Sequence, residues 1–225
     1  MERIIRKKLD MATRARDFCR AHPSTAARYA ETLAKLEERL VRAQALADQE
    51  LSGRNVSRAS ASTRVTLQRT ILESPLKDIV RIAHAASDQP ELAELFRLPV
   101  PKANRQNFLS RARVIATDAA AHKALFVANG MPESFLDDLT ASLDAYEQAM
   151  IQVHNGTAAH VGARKDLRAV TAEVLAVVDR LDGMNRYRFK ADPELLGSWA
   201  SATNIAWPER NAEVQKKQAG ETKAA

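Results

Sequence analysis

Apolar residues recur at helical spacing along almost all of this 225-residue chain, and little interrupts them. Tyr29, Leu33, Leu36, Leu40, Ala43 and Ala47 make one stripe. Phe135, Leu136, Leu139, Leu143, Tyr146 and Met150 make a second, and Leu167, Val170, Val174, Val177, Val178 and Leu181 a third. Spacing of this kind gathers side chains on one side of a helix, whereas a half-buried strand alternates every second residue. No alternating stretch of useful length occurs. Seven glycines and eight prolines leave few turn signals for a β fold, and aromatic residues make up only 5% of the chain. The expected fold is all-α, a bundle of long antiparallel helices.

The breaks divide this pattern. A first helix is predicted over 2–21, ended by His22-Pro23-Ser24, because proline disfavours helix in the residue before it. Ser24 or Thr25 then caps a helix running to Glu50. Residues 52–60, rich in Ser, Gly, Asn and Arg, read as a mobile linker. The next helix, over 61–86, contains Pro75, which predicts a kink between Ile71 and Pro75. Leu98-Pro99-Val100-Pro101 reads as a stiff extended link. A helix from about Ala103 stops at Asn129-Gly130. Pro132 opens an acidic helix, Asn155-Gly156 reads as a turn, and 161–181 as the last long helix. Residues 209–225 are polar and are expected to be a disordered tail.

One motif occurs twice. Asp88-Gln89-Pro90-Glu91-Leu92 precedes Phe96, and Asp192-Pro193-Glu194-Leu195 precedes Trp199. Both read as short helix starts, with Asp as cap, Pro in the first turn and Glu against the positive helix end. Upstream, Thr13-Arg14-Ala15-Arg16 matches Ser110-Arg111-Ala112-Arg113, and Tyr29, Leu33, Leu40 and Ala43 match Phe135, Leu139, Tyr146 and Ala149. Arg64 and Leu67 match Arg164 and Leu167. The separation drifts from 97 residues (Arg14 to Arg111) to 106 (Tyr29 to Phe135), but the order is kept. This predicts two similar, duplicated halves, 1–101 and 102–208, packed together as one unit.

Several chemistries find no support. The chain lacks a Gly-x-Ser-x-Gly elbow, a phosphate loop and a dinucleotide glycine pattern. No Glu stands three residues before any histidine, as a di-iron bundle requires. Asp118 with His122, and His84 with Asp88, are one turn apart, a spacing routine for surface hydrogen-bonded pairs. Neither a catalytic residue nor a metal or cofactor is therefore expected. Cys19 is the single cysteine, which suits a reducing cytosol. No run of about 18 apolar residues marks a membrane span, and the charged start, Met1 to Lys8, has no apolar stretch behind it. The protein is expected to be cytoplasmic.

The net charge is +6, unevenly spread. Residues 51–72 hold four arginines and no acid, whereas 131–154 hold Glu133, Asp137, Asp138, Asp144 and Glu147 with no Lys or Arg. That acidic strip can pair with basic helices inside the fold, such as 103–123, or with an outside partner. The stretch Arg186-Tyr187-Arg188-Phe189-Lys190 reads as a loop in which cations contact phosphates and an aromatic ring stacks on a base. Alternatively, Tyr187 and Phe189 pin that loop to the bundle. The leading expectation is a non-enzymatic helical interaction or scaffold module with a protein partner. Nucleic-acid binding through 185–190 is the alternative, and a small-ligand or metal site in the bundle a weaker third.

Four stretches, Arg14-Ala15-Arg16-Asp17-Phe18, Leu36-Glu37-Glu38-Arg39, His160-Val161-Gly162-Ala163-Arg164 and 181–189, resemble uncharacterised bacterial all-helical proteins over most of residues 10–200. That group has no assigned activity. The resemblance implies a bacterial cytosolic origin and adds neither a function nor a site residue.

Overall fold

The computed structural model describes residues 2–85, 92, 95–99 and 104–205. Every regular element among them is helical: α1 (Arg3–Ala21), α2 (Ala27–Ile71), a π-helical turn (Leu72–Leu76), α3 (Lys77–Ala85), α4 (Arg105–Ala121), α5 (Lys123–Ala128), α6 (Phe135–Arg188) and α7 (Pro193–Thr203). No described helix is long and apolar enough to cross a membrane. The chain divides into two compact units. Unit 1 takes Met1–Glu50 and Gly162–Ala225, and unit 2 takes Leu51–Val161. These units do not coincide with the sequence halves 1–101 and 102–208, since each draws on both. The 209–225 tail and the Val100–Pro101 part of the link lie outside the described residues. So do Asp88, Pro90 and Glu91 of the first short-helix motif.

In unit 1, α1 buries Ala12, Ala15 and Cys19 against Leu36, Leu40 and Ala43 of α2 and Val174, Val178 and Leu181 of α6. Polar contacts at the rim set the register. Arg39 Nε meets Glu173 Oε2 at 2.7 Å, and Arg20 Nε meets Glu37 Oε1 at 2.6 Å. The short helix α7 starts as its sequence requires. Asp192 Oδ1 accepts from the Leu195 N–H at 3.0 Å, and Pro193 occupies the first turn, where its missing N–H costs nothing. Trp199 of α7 is then buried against Phe18, ring centroids 5.2 Å apart.

The carboxylate of Glu2, at the start of α1, accepts from both Arg164 and Arg168 of α6. Their hydrogen bonds hold its pKa down at about 2, against an ordinary 4.5. A pKa lowered in the fold means stability that is present above the unfolded value and lost as pH falls towards 2. Urea unfolding of Glu2→Gln should therefore show a less stable protein than wild type above pH 5, with the two converging near pH 2. A gap that stays constant over that range would show that the charge of Glu2 is not what matters.

In unit 2, α4 packs Phe108, Ala112, Ile115 and Ala119 against Leu139, Leu143 and Tyr146 of α6 and Ile79 and Ala83 of α3. Pro75 falls inside the π-helical turn, so the expected irregularity is present: proline cannot donate to the preceding carbonyl, and the wider turn absorbs the lost bond. Gly130, at φ 96°, ends the α5 segment in the left-handed conformation that glycine tolerates. The acidic strip is partly answered within the unit. Arg113 of α4 holds Asp144 at 3.1 Å and Glu147 at 2.8 Å, and Lys123 reaches Glu133 at 3.3 Å.

Three expectations are corrected. Residues 52–60 form no linker but continue α2, and Asn155-Gly156 is no turn but lies inside α6. The reason is close packing. A Cβ on Gly53 would stand 2.9 Å from the His160 nitrogen, and one on Gly156 would stand 2.7 Å from the Ser57 nitrogen. Small residues let the two backbones touch here, and Ser57 Oγ to Thr157 Oγ1 and Ser60 Oγ to Gln152 Oε1, both 3.0 Å, fasten the contact. Thirdly, residues 185–188 are the last turn of α6 and not a loop.

Candidate binding pocket

The end of α6 meets the turn between α1 and α2 inside unit 1. That turn leaves the His22 and Pro23 carbonyls beyond the carboxy-terminal end of α1, where backbone acceptors lack helical partners. Arg188 supplies the donors, with Nη1 to His22 O at 2.7 Å and Nη2 to Pro23 O at 2.5 Å. A cation here also complements the negative end of α1. Its guanidinium carbon lies 4.8 Å from the Phe189 ring centroid and 5.5 Å from that of Tyr29.

The five residues singled out in the sequence therefore separate into two groups. Phe189 is buried, edge-on to Phe18 at 5.9 Å, and Arg188 is committed to the α1–α2 turn. Phe189 thus takes the pinning role. Tyr187 is 79% exposed, Arg186 is exposed but paired with Asp182 at 2.7 Å, and Lys190 is exposed with Nζ 5.6 Å from the Tyr187 ring centroid.

Between these groups lies an open pocket of about 370 Å³ lined by Ser24, Ala26, Arg28, Tyr29, Met184, Tyr187 and Arg188. Its lining is mostly apolar, and its two charged members are both arginines. A shallower cleft of about 780 Å³ adjoins it, shares Arg28, Met184 and Tyr187, and adds Glu31, Lys35, Asp179 and Arg180. The sequence reading marks none of Ser24, Ala26, Arg28, Tyr29 and Met184 as a site residue, taking Ser24 for a cap and Tyr29 for part of an apolar stripe. The one available signal was the His22-Pro23-Ser24 break, since a helix end needs donors from somewhere else in the chain.

Cys19, Tyr29 and Asn185 form a buried polar cluster in the same unit. Asn185 Nδ2 lies 3.6 Å from Cys19 Sγ, while the Tyr29 hydroxyl and Asn185 Oδ1, both buried, make no hydrogen bond of good geometry. Burial pushes the Cys19 thiol up, and burial with the neighbouring Cys19 pushes the Tyr29 hydroxyl well above its ordinary range. Both stay protonated at neutral pH, so the cluster offers no thiolate nucleophile. Native protein should accordingly react with maleimide at Cys19 at least a hundredfold more slowly than urea-unfolded protein, read by mass spectrometry. Equal rates would show the thiol to be open.

Among the described residues no group of three or more His, Cys, Asp and Glu side chains is placed to hold a metal ion. His122 sits edge-on to Phe96, ring centroids 6.3 Å apart, and Asp88 is outside the described residues. Comparison with protein-family models, with curated proteins and with solved structures finds no match.

Proposed function

We propose that the protein is a non-enzymatic interaction module and that the pocket at the α1–α2 turn is where a protein partner docks. One observation carries this reading: an exposed tyrosine stands at the mouth of an apolar pocket whose only charged walls are arginines. Tyrosine and arginine are the residues on which binding energy tends to concentrate, and an apolar pocket accepts an anchoring side chain. The partner segment has an aliphatic or aromatic anchor flanked by Asp or Glu, which Arg28, Arg188 and Lys190 favour electrostatically.

The test is a library of short peptides screened against wild type, Tyr187→Ala and Arg28→Glu. Both altered side chains are exposed, so the fold should be kept. Binders enriched in an apolar residue beside acids should lose about tenfold or more in affinity with either variant. Binders indifferent to both changes would place recognition elsewhere.

Nucleic-acid binding is the second reading, supported by exposed Tyr187 with Arg186 and Lys190 beside it. Single-stranded nucleic acid offered at about 50 and 200 mM salt separates the two readings. Steep salt dependence together with loss on Tyr187→Ala would favour it over the peptide.

We infer antiparallel packing of α2 with α6 within each unit, and descent of the two halves from a duplication. Arg39 with Glu173 in unit 1, and Ser57 with Thr157 and Ser60 with Gln152 in unit 2, support the first. The second rests on matched residues that are buried alike in opposite units: Tyr29 and Phe135, Leu40 and Tyr146, Ala43 and Ala149, Trp199 and Phe96. Each half then gives its leading helices to one unit and its trailing ones to the other.

A further inference from the structure

The pocket at the α1–α2 turn does not end at Tyr187. It opens into the shallower cleft of about 780 Å³, and the two share Arg28, Met184 and Tyr187. On α2 the cleft residues Arg28, Thr32 and Lys35 recur every three or four positions. They keep step with Arg39, which reaches Glu173 of α6 at 2.7 Å, whereas Glu37 turns to Arg20 of α1. The cleft therefore follows the seam between α2 and α6 within unit 1. From Arg28 to Lys35 it runs two turns of helix, about 10 Å.

Three features of this groove select its occupant. Its walls are helices, whose backbone N–H and C=O groups are bonded within each helix. An extended segment would find no free backbone edge to pair with, whereas a helical segment satisfies its own backbone. The second feature is Gly183. It stands inside α6, where glycine is a poor helix former, yet a Cβ added there meets nothing within 4 Å. In unit 2 the smallness of Gly53 and Gly156 serves a contact between α2 and α6. Gly183 is exposed and lines the cleft, so the notch it leaves opens towards the occupant. A small residue at a crossing lets two helices approach more closely. The third feature is charge. Arg28, Glu31 and Lys35 are exposed at one-turn intervals on α2, and none of them forms an ion pair with another described residue.

We propose, resting on the docking at this pocket argued above, that the partner segment is an amphipathic α-helix lying along the α2–α6 seam of unit 1. An apolar side chain of that helix fills the pocket beside Tyr187, and a small residue faces Gly183. Its flank towards α2 presents acid, base and acid at one-turn spacing to Arg28, Glu31 and Lys35. Helices that enter grooves between helices use this one-turn spacing of anchors. The matched signs fix which helices fit and in what register.

The experiment screens two libraries of short peptides against the full chain. One is held helical by lactam bridges between positions one turn apart on its outer side, and the other is kept extended by prolines. Binders should come from the helical library and carry the acid, base and acid pattern. Gly183→Leu should weaken them at least tenfold without lowering Tm, because the new side chain enters the cleft and not the core. Glu31→Lys should weaken them as well, and exchanging the facing base of the peptide for Glu should restore binding. Binders found only in the extended library, weakened by Tyr187→Ala but not by Gly183→Leu, would keep the docking at the pocket and overturn the helix. Binders indifferent to Tyr187→Ala, or none from either library, would overturn both. A dimer in sedimentation that Gly183→Leu dissolves would give the groove to a second copy of this chain and overturn the partner helix.

Discussion

Gly156→Ala is expected to destabilise the protein by about 1–3 kcal/mol, although alanine is the better helix former. The added methyl would lie 2.7 Å from the Ser57 nitrogen and 2.8 Å from the Gly53 carbonyl oxygen. Both are backbone atoms, so no side-chain rotation relieves the clash, and α2 must move away from α6 in unit 2. That movement would stretch Ser57–Thr157 and Ser60–Gln152 as well. Against this stands a gain of up to about 1 kcal/mol from replacing glycine within a helix. Gly183, in the same helix, has nothing within 4 Å of its added Cβ, so Gly183→Ala should show that gain alone. Opposite signs for two identical substitutions in one helix are the signature, and urea unfolding reads both. If Gly156→Ala proves as stable as Gly183→Ala, the close approach of the two backbones is wrong.

That glycine pair also explains where sequence reasoning failed. Gly53, Asn55, Ser57, Asn155 and Gly156 have poor helix propensity, and in a local window they read as punctuation. Their smallness serves a contact roughly a hundred residues away in sequence, which no local window contains. Apolar spacing, by contrast, is a local property of the helix that carries it. The stripes through Tyr29–Ala43, Phe135–Tyr146 and Leu167–Leu181 are accordingly the faces found in the cores. Capping is local too, hence the legible start of α7 at Asp192-Pro193.

The membership of the two units was not legible, because chain order suggests that neighbours in sequence share a core. Here α2 and α6 each contribute to both units. The candidate site shows the same limit. Composition alone made Arg186 to Lys190 look like a single basic-aromatic patch. Only the folded chain shows that Arg188 serves the His22 and Pro23 carbonyls and that Phe189 is buried, while Tyr187 is left to the surface.

Trp199→Ala is expected to cost about 3–5 kcal/mol, the usual range for deleting a buried large aromatic ring. Trp199 is 1% exposed and holds α7 on α1 through its contact with Phe18. Its Nε1–H also donates to Asp182 Oδ1 at 2.8 Å, while Asp182 Oδ2 takes Arg186 at 2.7 Å. Trp199→Phe keeps most of the buried ring and loses only the hydrogen bond. Asp182 is partly open to water, so that variant should cost nearer 1 kcal/mol. Urea unfolding measures both, and hydrogen exchange over 193–203 should quicken far more in the alanine variant. A loss under about 1 kcal/mol for Trp199→Ala would mean that α7 is not docked on α1. The consequence reaches the pocket. Phe18 touches Trp199 on one side and His22 and Phe189 on the other, at 4.5 and 5.9 Å, and those two flank the turn held by Arg188. Removing Trp199 should therefore weaken partner binding by loosening the pocket wall, with a matching loss of stability. Under the proposed docking, Tyr187→Ala should weaken binding and leave stability unchanged, because that exposed ring is not part of the core.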